Sequence, residues 1–198
     1  GYTLTPEVGK FFAWTSNANS VSLLPDGQGG QLLVIDDSAQ PMSSATLIAG
    51  GFINYKKVAG GNFQWKFDMT FSVPDLPFSA GIVVDSPTSD FIPASGPDGQ
   101  GYLEIAGKKS NFQVPVGVAI ESSILLSRAN PDLDWTYQMN FADRNDQGGT
   151  PQSFAGTFPG TAGRNIVGFA FEKRNGEQGK VTIDNVVATT DQPTSNSK

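Results

Sequence analysis

Apolar and polar residues alternate most strictly in "NFQWKFDMTFSV" (Asn62–Val73). Phe63, Trp65, Phe67, Met69, Phe71 and Val73 fall on one face, against Gln64, Lys66, Asp68, Thr70 and Ser72 on the other. A period of two sustained over this length predicts a long strand with one face buried, ended by Pro74. The same pattern recurs in "DWTYQMNFAD", which sets Trp135, Tyr137, Met139 and Phe141 opposite Thr136, Gln138 and Asn140. "NIVGFAFEK" (Asn165–Lys173) and "KVTIDNVVA" (Lys180–Ala188) read as two more strands, and the turn residues of "RNGEQG" between them predict a hairpin. Weaker strand patterns lie in "QLLVID", "TLIAGGFINY", "AGIVVD", "YLEIAG" and "VGVAIES".

No stretch has the spacing of a long amphipathic helix, and Gly, Pro, Asp and Asn punctuate the chain throughout. The pentapeptide "PDGQG" occurs twice, at Pro25–Gly29 and Pro97–Gly101, each time before a strand. Its flanks differ, so shared turn chemistry explains it better than internal duplication. The expected fold is all-β, an antiparallel two-sheet β-sandwich of jelly-roll type. Residues 1–190 form its single domain, and the Pro/Thr/Ser/Asn stretch 191–198 reads as a linker-like tail.

Composition narrows the chemistry. At 198 residues the chain can bury roughly 70% of its unfolded surface, so it needs no covalent staple. It has no Cys, which excludes a disulfide scaffold, a thiolate zinc site and a Cys nucleophile. It has no His either, which removes the commonest general base and transition-metal ligand. A net charge of −6 without a basic run argues against nucleic acid as partner. No apolar run approaches the length of a membrane span.

The order of strands carries a resemblance. "FFAWTS" is followed by "GGQLLVID", by the long strand introduced by "AGGNF", then by "DWTYQMNF", "VGFAFE" and the terminal "VTIDNVVA". This order resembles carbohydrate-binding modules of the galactose-binding-domain-like jelly-roll type, closest in pattern to families 4, 9 and 22. The resemblance runs from about Phe11 to Val187 on short, degenerate motifs. It implies a non-catalytic, polysaccharide- or oligosaccharide-binding module of a secreted or cell-surface multidomain protein. It also implies a structural Ca²⁺ held by Asp184 in the terminal strand, with Glu7 as the N-terminal partner, since calcium takes six to eight hard oxygens. The plainer reading of Asp184 is a solvent-facing acid, or one paired with a cation such as Lys180. A second acidic loop, "DRNDQGGT" (Asp143–Thr150), echoes the start of a calcium loop, but Phe154 stands where the bidentate Glu belongs. That loop reads as ordinary solvated chain.

Sugar binding needs exposed aromatics, amides and charged groups. Trp65 and Trp135 lie on apolar faces and read as core. The ligand-binding candidates are Trp14 in "FFAWTSNANS", Tyr55 in a loop, Lys66 and Asp68 on the long strand, Gln138 on the Trp135 strand, and Tyr102 and Glu104 in "GYLEIAG". Gln64 and Asn140 share the outer faces with them, provided that these strands share one sheet. The same mixture would suit any solvated sheet face. Catalysis lacks a motif. The E-x-D-x-x-E arrangement of sandwich glucanases is absent, and Ser-His-Asp chemistry is impossible without His. The alternatives are a structural or adhesive sandwich domain of a cell-surface, matrix or phage protein and, third, a small lyase or hydrolase.

Overall fold

The computed structural model describes residues 11–14, 20–39, 47–51, 60–85, 90–146 and 148–191, with the strands at 11–14 and 47–51 described by their backbone. Among these residues the chain is all-β, in two antiparallel seven-stranded sheets. No described helix is long and apolar enough to cross a membrane.

The first sheet runs β1 (Phe11–Trp14), β4 (Leu47–Gly51), β13 (Ile166–Lys173), β6 (Phe78–Val84), β7 (Asp90–Pro97), β8 (Tyr102–Ile105), β9 (Lys108–Gln113). The second runs β12 (Gln152–Thr157), β11 (Thr136–Asp143), β10 (Ile120–Arg128), β5 (Gly61–Phe71), β14 (Lys180–Thr190), β3 (Gln31–Asp36), β2 (Val21–Pro25). The two-sheet sandwich is the expected fold. The central strand β5 is the long alternating segment, and its inner-face residues Phe63, Trp65, Phe67, Met69 and Phe71 are at most 1% exposed. Rings of opposite sheets meet between the layers. Trp65 stacks on Phe169 with centroids 4.6 Å apart, and Phe67 meets Phe171 edge-on at 5.3 Å. Such pairs each add about 0.5–1.5 kcal/mol beyond the area that they bury.

The two "PDGQG" copies adopt one turn. Each connects a pair of strands, β2 to β3 in one sheet and β7 to β8 in the other. In each, the Asp side chain accepts two backbone N–H groups: Asp26 from Gln28 and Gly30, Asp98 from Gln100 and Tyr102. Gly27, Gly29, Gly99 and Gly101 all sit at positive φ, which the turn requires.

The expected hairpin between β13 and β14 does not form. β13 lies in the first sheet and β14 in the second, so residues 174–179 carry the chain across the sandwich. The sequence shows the turn residues but not the sheet each strand joins, and a buried ion pair spans the two sheets at this crossing. Lys173, at the inner end of β13, is 0% exposed, and its Nζ lies 2.6 Å from Oδ2 of Asp37, just beyond β3. The same ammonium donates to the carbonyls of Arg174 (3.0 Å) and Glu177 (3.1 Å). Asp37 Oδ1 accepts the Gly179 N–H at 2.9 Å. All three ammonium protons therefore have acceptors, which is the condition for burying a charge at tolerable cost.

At the other end of β13 a second cation joins the layers. Arg128, on the inner face of β10 and 4% exposed, lies 4.4 Å from the Trp135 ring centroid. It donates to the Thr161 carbonyl (3.1 Å) and to Oδ1 of Asn165 (3.0 Å), immediately before β13. Burial pulls its pKa below the ordinary arginine value, opposed by the charges of Asp85 and Asp134.

Replacing Lys173 by Met leaves Asp37 buried without its cation and should cost about 3–5 kcal/mol in denaturant unfolding. The double variant Lys173→Met/Asp37→Leu should recover much of that loss. A single variant as stable as the parent would show that the pair fastens nothing.

Candidate functional site

The outer face of the second sheet is its solvent face, and strand register places its residues in rows. One row reads Thr189, Gln64, Leu125, Gln138, Ala155 across β14, β5, β10, β11 and β12. The next reads Val187, Lys66, Ser123, Asn140, Ser153. Neighbouring positions lie about 4.8 Å apart across strands, and rows about 6.8 Å apart along them. Lys66, Gln138 and Ser153 are exposed, while Gln64, Ser123 and Asn140 are half-buried. The aromatics of β5 and β11 all turn inward, so hydrogen-bonding groups make up these two rows, with a few aliphatic side chains.

A third row, Asp184, Asp68, Glu121, Ala142, is charged. Asp184 and Asp68 stand directly opposite, an unfavourable pairing for like charges. Two groups compensate Asp68, which is 8% exposed. Arg144 Nη2 donates to its Oδ2 at 2.8 Å, and Asn185 Nδ2 donates to the same oxygen at 2.7 Å. Arg144 also donates from Nε to Glu121 (3.0 Å), and this bond, with the Asp68 charge, raises its pKa above the ordinary arginine value. The loop that echoes a calcium site serves here as a turn. Asp143 Oδ1 accepts the Asn145 N–H, and the turn delivers Arg144 to Asp68.

This arrangement explains the Asp184–Asn185 pair inside an apolar strand. Asp184 keeps its register opposite Asp68, and the register then shifts before Val187, so Asn185 and Val186 together face Phe67 as a β-bulge. Asn185 takes φ +51°, a left-handed conformation that Asn tolerates, and its N–H donates to Asp184 Oδ1 at 2.7 Å. The bulge turns the Asn185 amide onto Asp68. The calcium expectation rests on Asp184 together with Glu7. Glu7 lies outside the described residues, and among those described no three acidic side chains gather as a metal group. Arg144 and Asn185 already hold Asp68 Oδ2.

The candidate residues divide between the sheets. Lys66, Asp68 and Gln138 share the rows above. Tyr102 and Glu104 do not join them, because β8 belongs to the first sheet. There the Lys109 ammonium lies 5.0 Å from the Tyr102 ring centroid and donates to Gln100 Oε1 at 2.7 Å. Glu104 is exposed and pairs in register with Lys109. Trp14 lies on β1 of that sheet, opposite Ile48 in register. Tyr55 lies outside the described residues. Sequence reasoning missed Arg144, Glu121, Asn185 and Ser123. Only the Asp–Asn pair in a β-branched strand signalled any of them.

The sequence matches no protein-family model and no curated protein. The fold is similar to a seed lectin of Lotus tetragonolobus, with a TM-score of 0.54 and 13% identity over 93% of this chain and 100% of that one. It is similar to arcelin-5, a lectin-like defense protein from Phaseolus vulgaris, with a TM-score of 0.53 and 8% identity over 93% and 99%. A functionally unknown protein from Saccharomyces cerevisiae matches with a TM-score of 0.51 and 13% identity over 94% and 98%. The chain thus has a lectin-like sandwich fold. These likenesses do not single out the family 4, 9 or 22 modules.

Asn185→Gly keeps the left-handed backbone and removes only the amide, so it should cost about 1.5 kcal/mol, the worth of a hydrogen bond to a charged group. Asn185→Ala should cost about 1 kcal/mol more, because alanine pays for the left-handed conformation. Denaturant midpoints measure both. Equal losses would mean that the bulge carries no conformational demand.

Proposed function

We propose that this domain binds carbohydrate without catalysis, through the outer face of the second sheet. The observation that carries the reading is the pair of adjacent rows, Gln64–Gln138 and Lys66–Asn140–Ser153, open to solvent on a lectin-like sandwich. Glycan hydroxyls both donate and accept, and amides and hydroxyls answer both roles from fixed positions. The strands hold these groups in place, so less side-chain freedom is lost on binding. The lectins among the structural neighbours support the class of ligand.

The carboxylates of the face serve structure in this reading. Asp68 and Glu121 both hold Arg144, which leaves neither free to act as the acid or nucleophile of glycoside hydrolysis. The setting is a secreted or cell-surface protein in which this domain holds a larger chain to a polymer.

Affinity electrophoresis through soluble polysaccharides tests the reading. Retardation by at least one polymer is expected, the same in calcium and in a strong chelator. Gln138→Ala and Asn140→Ala should each weaken binding by about fivefold, the worth of one hydrogen bond of about 1 kcal/mol. Absence of retardation across a broad panel, with the domain folded, would favour the structural or adhesive role instead.

A further inference from the structure

Asparagine precedes glycine once in the sequence, at Asn175–Gly176 in "RNGEQG". The pair lies on the crossing between β13 and β14, where Asn175, Gly176 and Glu177 are all exposed. The Gly176 N–H donates to Oδ1 of Asn175 at 3.1 Å, so the side-chain carbonyl lies against the backbone nitrogen that follows it. Gly176 takes φ +146°, and with no Cβ it leaves that nitrogen unshielded. Among the described residues no other hydrogen bond holds the Asn175 side chain. The two Asp–Gly pairs, Asp26–Gly27 and Asp98–Gly99, are held differently. Each carboxylate accepts two backbone N–H groups from further along its own turn.

We infer that Asn175 is a site of spontaneous deamidation, and that its product loosens the fastening at the β13–β14 crossing. Asparagine is a thermolabile residue, and here the reacting groups already lie together. The Gly176 nitrogen, its proton taken by solvent base, attacks Cγ of Asn175. A bond forms between them, the Cγ–Nδ2 bond breaks, and Nδ2 leaves as ammonia with a proton from water. Water then opens the cyclic imide at one of its two carbonyls. Opening at Cγ gives aspartate. Opening at the backbone carbonyl gives isoaspartate, in which the main chain runs through Cβ and Cγ of residue 175.

The position gives that product a structural effect. The buried Lys173 ammonium donates to the carbonyls of Arg174 (3.0 Å) and Glu177 (3.1 Å), which lie on either side of the reacting pair. Isoaspartate puts one extra backbone methylene between these two acceptors. Their spacing around the ammonium changes, and a buried charge tolerates the loss of an acceptor poorly. Gly179, whose N–H donates to Asp37, lies on the same short segment.

The test ages the protein in mildly alkaline buffer at physiological temperature, followed by isoelectric focusing, peptide mapping and isoaspartate-specific methylation. An acidic form should accumulate with isoaspartate at residue 175. It should form faster as pH rises, because the Gly176 amide must lose its proton, and Asn175→Gln should not form it. The isolated isoaspartate form should unfold at lower denaturant than Asn175→Asp, which adds the charge without the methylene and should stay near the parent. An Asn175 that stays intact while a free peptide of residues 174–179 deamidates would overturn the site. An isoaspartate form as stable as the parent, or an Asn175→Asp variant that loses as much as that form, would overturn the loosening.

Discussion

Two buried cations at opposite ends of one strand hold the sandwich in register. Lys173 closes one end of β13 on Asp37, and Arg128 reaches the residue before its other end at Asn165. The aromatic core between them attracts without direction, since hydrophobic burial fixes how much area is covered but not which residue faces which. The ion pair and the guanidinium cluster supply that direction. Each joins a strand of one sheet to a chain segment of the other, and each has hydrogen-bond acceptors that offset its desolvation. The crossing from β13 to β14 is fastened at the first of them, where Gly179 donates to the same carboxylate that receives Lys173.

With the large side chains committed inward, the outer face of the second sheet is left to polar groups. Its charged row is organised by β14, whose bulge aims Asn185 at Asp68, and by the turn after β11, which aims Arg144 at the same oxygen. The two polar rows, in which Lys66 is the one charged group, stay open to solvent. Function in this account therefore depends on a division of labour along β5. Its inward residues build the core, its outward residues Gln64 and Lys66 stand on the proposed binding face, and Asp68 fixes the geometry at one end of that face.

Much of the fold was legible in the alternation of residues. Phe63 to Phe71 and Tyr137 to Phe141 take the predicted faces, because period-two burial dominates in long strands. Short edge strands such as β2 and β12 escaped notice, since their residues are largely exposed and alternate weakly. The partition of strands between sheets was not legible either. Tyr102 and Glu104 match the outward pattern of Lys66 and Gln138, yet β8 pairs with β7 and β9 in the first sheet. Local sequence encodes the face that a strand buries. Long-range pairs such as Asp37 with Lys173 or Asp68 with Arg144 encode its neighbours, and no spacing rule exposes them.

The most direct test of the central claim is amide chemical-shift mapping on the isotopically labelled domain, titrated with whichever polysaccharide fragment retards it. Shifts concentrated at Gln64, Lys66, Ser123, Gln138, Asn140 and Ser153 are expected, with β7, β8 and β9 unmoved. Shifts centred on Tyr102 and Glu104, with the second sheet silent, would contradict it.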